Sequence, residues 1–316
     1  MTTTTRTRVG LPDLLWVAWR RHRTMLVVTT AVVLVAVGWI LATAAFSDMS
    51  AINRTIPIYL GTTDPIVYAG TLFAVVIAVF WAAPLVAREY EQRTHLVVWG
   101  QDITPARWLA GQVVLLGIVV ACLAAALGTA TNILVSRMVY HSASPYGYRM
   151  FDSEYFEGVP QVQGAHAVFG FALGLACGAL LRRTLPAMVL TLFGFVVVRF
   201  VLVMWGRSYY LPPVRTFQAW SPPGVEYQRQ VAPDARYIDS GYADANHVPM
   251  DSPPVCRDAV EFTQCVKDNG VAGHFAYFQP VERVGAFRWI ESGIFIALAA
   301  ALLALTWYWV RRVRAR

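Results

Sequence analysis

The chain has 316 residues, 57% of them hydrophobic and 14% charged, with a formal net charge of +7. Soluble domains run at roughly 45–50% apolar and about 25% charged, so one or two aqueous cores are excluded as the main architecture. The basic excess is arginine flanking apolar runs, with Lys267 the sole lysine; that pattern suits anionic lipid and speaks against nucleic acid.

Leu11 to Arg23 is expected to form a short interfacial helix within a cytoplasmic segment 1–24. Leu11, Leu14, Leu15, Ala18 and Trp19 make its apolar side, and Arg20, Arg21 and Arg23 sit at its C-terminal end. Six apolar runs follow: Met25–Phe46, Ile66–Val86, Leu109–Val135, Ala165–Leu181, Leu185–Trp205 and Ser292–Val310. Each approaches the roughly 20 residues that cross a bilayer. Backbone groups in lipid must find partners within their own segment, so each run is expected to be helical. The first run is longer than the roughly 7–15-residue apolar core of a signal peptide and is expected to remain as an anchor.

Arginine placement orients the spans. With the N-terminus inside, the cytoplasmic side holds fourteen arginines (Arg6, Arg8, Arg20, Arg21, Arg23, Arg88, Arg93, Arg107, Arg182, Arg183, Arg311, Arg312, Arg314 and Arg316), whereas the short outer loops hold only Arg54, Arg137 and Arg149. Trp108, Trp205, Trp289, Trp307 and Trp309 fall near span ends, where indole rings favour the headgroup level. The fold class is therefore an all-α integral membrane protein with six transmembrane helices and both termini cytoplasmic, in the cell membrane. Residues 25–205 hold helices one to five, with a cytoplasmic segment 87–108 between helices two and three. Residues 206–291 form an extracytoplasmic loop domain, and 292–316 form the sixth helix and a basic tail. An oxidising exterior allows Cys256 and Cys265 to bridge, worth about 2–3 kcal/mol to a short loop.

The missing chemistry is informative. A nucleotide-binding P-loop needs a glycine-rich turn followed by Lys and Ser or Thr; Lys267 is followed by Asp268 and has no such turn before it. No Asp, Glu or His is expected well inside a span, with His166 at a border. Arg199 in the fifth span either snorkels outward or faces an interior cavity and pairs with a carboxylate such as Glu291, or with substrate. Gly170, Gly174 and Gly178 recur every four residues, a face suited to close helix approach within the chain or against a second one. No catalytic constellation and no metal site is expected; His247 with Asp244 and Asp251 reads as a polar loop.

The cytoplasmic stretch Arg88-Glu89-Tyr90-Glu91-Gln92-Arg93-Thr94-His95, running to Thr104-Pro105-Ala106-Arg107-Trp108, has the character of a charged short helix, a turn and a lead into the third span. It resembles the coupling region of type-2 ATP-binding-cassette export permeases. The Ala18-Trp19-Arg20-Arg21-His22-Arg23, Arg182-Arg183-Thr184-Leu185-Pro186-Ala187 and Tyr209-Tyr210-Leu211-Pro212-Pro213 stretches are similar to permeases of the actinobacterial type. The resemblance implies a permease that moves a hydrophobic or amphipathic compound outward. It would dimerise with itself or with a second permease, and two copies of a P-loop ATPase subunit would hold the ATP and magnesium. Glu89, Glu91, Arg93, Thr94, Thr104 and Arg107 would touch that ATPase, and charge reversal at Glu89 or Glu91 would uncouple transport without unfolding the chain. The alternative is a membrane sensor or accessory protein with a ligand-binding external loop.

Overall fold

A computed structural model describes residues 10–46, 68–92, 105–140, 150–219, 235–251, 256 and 262–313. Six helices in it are long and apolar enough to cross a membrane: Pro12–Phe46, Ala69–Glu91, Arg107–Arg137, Pro160–Leu181, Thr184–Tyr209 and Val281–Arg312, the first to sixth spans below. The chain divides into two compact units, one of Met1–Ser142, Glu157–Phe200 and Arg288–Arg316, the other of Ala143–Phe156 and Val201–Phe287.

In the first unit the second and fourth spans form the centre, with 61% and 72% of their most apolar windows buried, against 17%, 17% and 22% for the first, fifth and sixth. The expected interfacial helix is not separate: Leu11–Phe46 is one continuous α-helix. No glycine or proline falls between Asp13 and Val37 to end it, and Leu14 and Ala18 are buried while Trp16 and Trp19 stay exposed.

Pro84 lies inside the second span, where its ring would clash with the carbonyl four residues earlier. The helix widens into a π-helical turn over Ile77–Ala82 immediately before it. That turn absorbs the clash without breaking the helix. The fourth and fifth spans are joined through Arg182, whose φ of 53° is a left-handed helix cap.

The second unit departs from the all-α expectation. It carries a four-stranded antiparallel sheet in the order β1-β4-β2-β3, with β1 Val214–Ala219, β2 Arg236–Ala243, β3 Pro249–Met250 and β4 Gly273–Gln279. The sequence HFAYF in β4 is rich in the aromatic residues that favour strands. Gly273 is required at its start, because a Cβ there would lie 2.2 Å from the Gln218 carbonyl oxygen. Cys256 and Cys265 are disulfide-bonded, and both pack with Val266, Val271, Tyr242 and Met250.

Candidate functional site

Two polar groupings stand out in the helical unit, one at each end of the second span. At the Glu91 end, Glu89 is 5% exposed and forms an ion pair with Arg21 of the first span. Two residues on, the Glu91 carboxylate accepts hydrogen bonds from the backbone N–H of Thr184 at 2.9 Å and from its hydroxyl, capping the first turn of the fifth span. The Arg182 guanidinium lies 5.1 Å from the Tyr90 ring centroid.

The end of the second span is thereby tied to the first span and to the hairpin between the fourth and fifth. Glu89 was expected to face a partner, and the structure instead buries it against Arg21, because its turn of helix packs inward with Val86 and Ala87. Glu91 is exposed, but its oxygens are engaged within the chain. Arg107 is exposed in the first turn of the third span. Arg93, Thr94 and Thr104 lie outside the described residues.

Gly170, Gly174 and Gly178 face the second span of the same chain. A Cβ on Gly170 would lie 3.1 Å from the Ala74 carbonyl oxygen, one on Gly174 2.5 Å from that of Ala78, and one on Gly178 2.5 Å from that of Ala83. A fourth close approach, which sequence spacing did not single out, joins the third and fourth spans: a Cβ on Gly128 would lie 2.6 Å from the Pro160 Cα.

The second grouping is at the Ala69 end. Phe169, Phe195 and Phe295 from the fourth, fifth and sixth spans form an aromatic triad, with centroids 5.9 Å apart for the first two and 5.2 Å for Phe169 and Phe295. One turn further along each helix stand His166, Arg199 and Glu291. Arg199 pairs with Glu157, which also accepts from the Thr71 hydroxyl at 3.4 Å. Glu291, proposed from sequence as a partner for Arg199, has an oxygen 3.6 Å from His166 Nε2, with both side chains almost wholly buried. Gln163, 2% exposed, donates to the Thr131 hydroxyl at 3.2 Å and packs on Gly70.

The expectation of spans free of internal acid and histidine is thus corrected. The fourth helix begins at Pro160 and the sixth at Val284, earlier than hydropathy alone places them, so His166 and Glu291 sit inside the bundle. Glu157 was missed because it precedes the apolar run. Among the described residues of the sheet unit, no such grouping forms around His247. Asp244 Oδ1 accepts from the backbone N–H of Asn246 and of Val248, both at 2.8 Å, which makes it a turn-former. The His247 ring stacks on Phe217 at 3.9 Å. Among the described residues, no group of three His, Cys, Asp or Glu is placed to hold a metal ion.

Six helices of this length and apolar composition mark a multi-pass membrane protein. Residues 66–207 match the family model described as ABC-2 membrane transporter related. The match covers the second to fifth spans, less than half of the chain, and supports an ABC-2 type permease, a membrane component. No curated protein and no solved structure is significantly similar to the chain.

Proposed function

We propose that this chain is the membrane-spanning permease subunit of an ATP-binding-cassette exporter, of the type found in actinobacteria. It moves a hydrophobic or amphipathic compound outward across the cell membrane, with both termini cytoplasmic and the sheet unit outside. ATP and magnesium are held by a separate P-loop ATPase subunit, present in two copies beneath a pair of permeases. The observation that carries this reading is the family match over residues 66–207, which includes the segment joining the second and third spans. Supporting it, the helix leading into that segment is tied to two other spans through Glu89 and Glu91, as a segment that receives force must be to move more than itself. Arg93, Thr94, Thr104 and Arg107 remain the residues proposed to touch the ATPase. Glu89 and Glu91 act behind them, holding that end of the bundle together.

The experiment is co-purification with any P-loop ATPase encoded in a neighbouring reading frame, followed by ATPase assay of the complex in nanodiscs. Stable association, with hydrolysis altered by the permease, is the expected result. Failure to associate with any such subunit refutes the reading and leaves the sensor or accessory role, which the folded, disulfide-bonded sheet unit would then serve as ligand binder. A cysteine placed beside Tyr90 is expected to be protected from impermeant reagents on intact cells; labelling there would invert the topology.

A further inference from the structure

Ionisable and amide side chains inside a membrane bundle are costly and tend to mark a pathway. Here they are gathered at one level. The second to sixth spans each contribute: Thr71, Thr131, Gln163 with His166, Arg199 and Glu291, and Glu157 joins from just before the fourth helix. The contacts are continuous. Thr131 holds Gln163, Gln163 lies on Gly70, and the neighbouring Thr71 donates to Glu157, the partner of Arg199.

Three buried polar atoms of this layer, Gln163 Oε1, His166 Nε2 and Arg199 Nε, make no hydrogen bond among the described residues. Gln163 and His166 are 2% and 1% exposed, and lie three residues apart on one helix face. Buried polar groups are normally satisfied, and an orphaned one costs about 1–3 kcal/mol. The three orphans comprise an acceptor, a donor and an imidazole nitrogen that plays either part. Of the charged groups, Arg199 already has Glu157 as its counter-ion, and the Glu291 carboxylate lies 3.6 Å from the same His166 nitrogen. The layer therefore has hydrogen bonds to offer a ligand and no unpaired arginine to attract an anion. Its floor, the Phe169–Phe195–Phe295 triad, is apolar.

The geometry points to a binding subsite for the uncharged, hydrogen-bonding head of an amphipathic molecule, such as a hydroxyl or primary amide on an apolar body, held by Gln163, His166 and Arg199. This deepens the permease reading by naming the cargo's chemical class and rests on it. The site itself is tested on the isolated permease, so failure to couple to an ATPase and failure to bind are separate results.

The probe is a diazirine-bearing long-chain alcohol, compared in nanodiscs with its methyl ether and its trimethylammonium analogue. Photolabelled peptides are quantified against the exposed face of the first span as the lipid reference. The alcohol labels peptides within 157–171 and 195–202 about tenfold more than the ether, as expected for one lost hydrogen bond to a buried group. Gln163→Leu and His166→Phe each abolish that preference. Both are chosen to fold: Thr131 keeps its hydrogen bonds to the Leu127 and Gly158 carbonyls, and phenylalanine keeps the edge contact that His166 makes with Phe295. Equal labelling by alcohol and ether, persistence of the preference in both variants, or stronger labelling by the ammonium analogue overturns the proposal.

Discussion

Gly174→Ala is the sharpest test of how the bundle is held together. The added methyl would meet the Ala78 carbonyl oxygen at 2.5 Å, the Ala82 Cβ at 2.6 Å and the Ala83 backbone nitrogen at 2.8 Å. Non-bonded carbons prefer about 3.5–4.0 Å, so the second and fourth spans must separate by about 1 Å. Two of the three atoms are backbone and the third is an alanine Cβ, so no side chain can rotate away. Overpacking of this kind costs about 1–3 kcal/mol, and the absence of any rotatable neighbour places this site near 3. Replacing a mid-helix glycine by alanine returns about 1 kcal/mol in helix propensity, leaving a net loss of about 2 kcal/mol. Gly164→Ala on the same helix is the control, since a Cβ there has nothing within 4 Å, and it is expected to be neutral or to stabilise by up to about 1 kcal/mol. Unfolding of both variants in bicelles, measured by steric trapping, gives the difference directly. If Gly174→Ala is as stable as Gly164→Ala, the two spans do not pack through this face, and the stripe belongs to some other contact.

Three further outcomes follow from the same reasoning. Glu89→Lys places a second cation against Arg21 in a buried position; it is expected to lower the folded yield, and the Arg21→Glu/Glu89→Arg exchange is expected to recover part of it. Loss of coupling in a fully stable Glu89→Lys protein would restore a partner-facing role for Glu89. Cys256→Ser opens a bridge between residues separated by 9 in sequence and is expected to cost the sheet unit about 2–3 kcal/mol, read as faster proteolysis between 235 and 280. His274 in β4 is the titrating group to watch in that unit, because burial lowers its pKa below the ordinary histidine value. The unfolded chain then binds the proton more readily. Sheet stability is full above about pH 6.5 and declines as the pH falls toward the depressed folded value. Amide protection factors in β4, with the intrinsic pH dependence of exchange divided out, should fall on acidification, and His274→Gln should flatten that response; an unchanged profile in the variant assigns the effect elsewhere.

Much of the membrane part was legible because it rests on a single physical constraint. A segment in lipid must satisfy its own backbone, so apolar length alone locates a helix; five of the six spans contain in full the apolar runs read from sequence, and the second contains its run from Ala69 onward. Span ends were less legible, since helices continue past the apolar run wherever polar side chains find partners. The sixth helix extends back through Arg288 and Glu291 in this way, and the fourth through Gly164 and Gln163. Which carboxylate meets Arg199 depends on tertiary packing that no spacing encodes, and Glu157 lies 42 residues away. The sheet was hidden for a related reason. Its strands are short and lie far apart in sequence, and β4 pairs with β1 and β2 across chain separations that local alternation does not reveal.

The burial of Glu89 changes what the joining segment has to do. If a soluble subunit acts on residues 93–104, the force enters at the last turn of the second span, one of the two most enclosed helices of the bundle. A helix with a π-helical turn at Ile77–Ala82 contains a point where its hydrogen-bond register is already altered, and such turns recur where helices must bend or shift. Below that turn it is fastened to Arg21, and through Glu91 to Thr184; above, beside and below it, alanines from Ala74 to Ala87 pack directly on the glycine stripe of the fourth span. The last turn is thus anchored to the first and fifth spans in addition to the fourth. Any bend of the second span under that load is expected at the π-helical turn, where the register is already altered. Pro84 is the residue that keeps that turn open, since its ring excludes a regular α-helical bond at this place. Pro84→Ala is accordingly expected to close the turn into regular α-helix and raise stability. In a transport-competent complex it would lower turnover without weakening assembly with the ATPase. Unchanged turnover in a variant shown to have lost the π-helical turn would mean that the second span moves as one rigid rod.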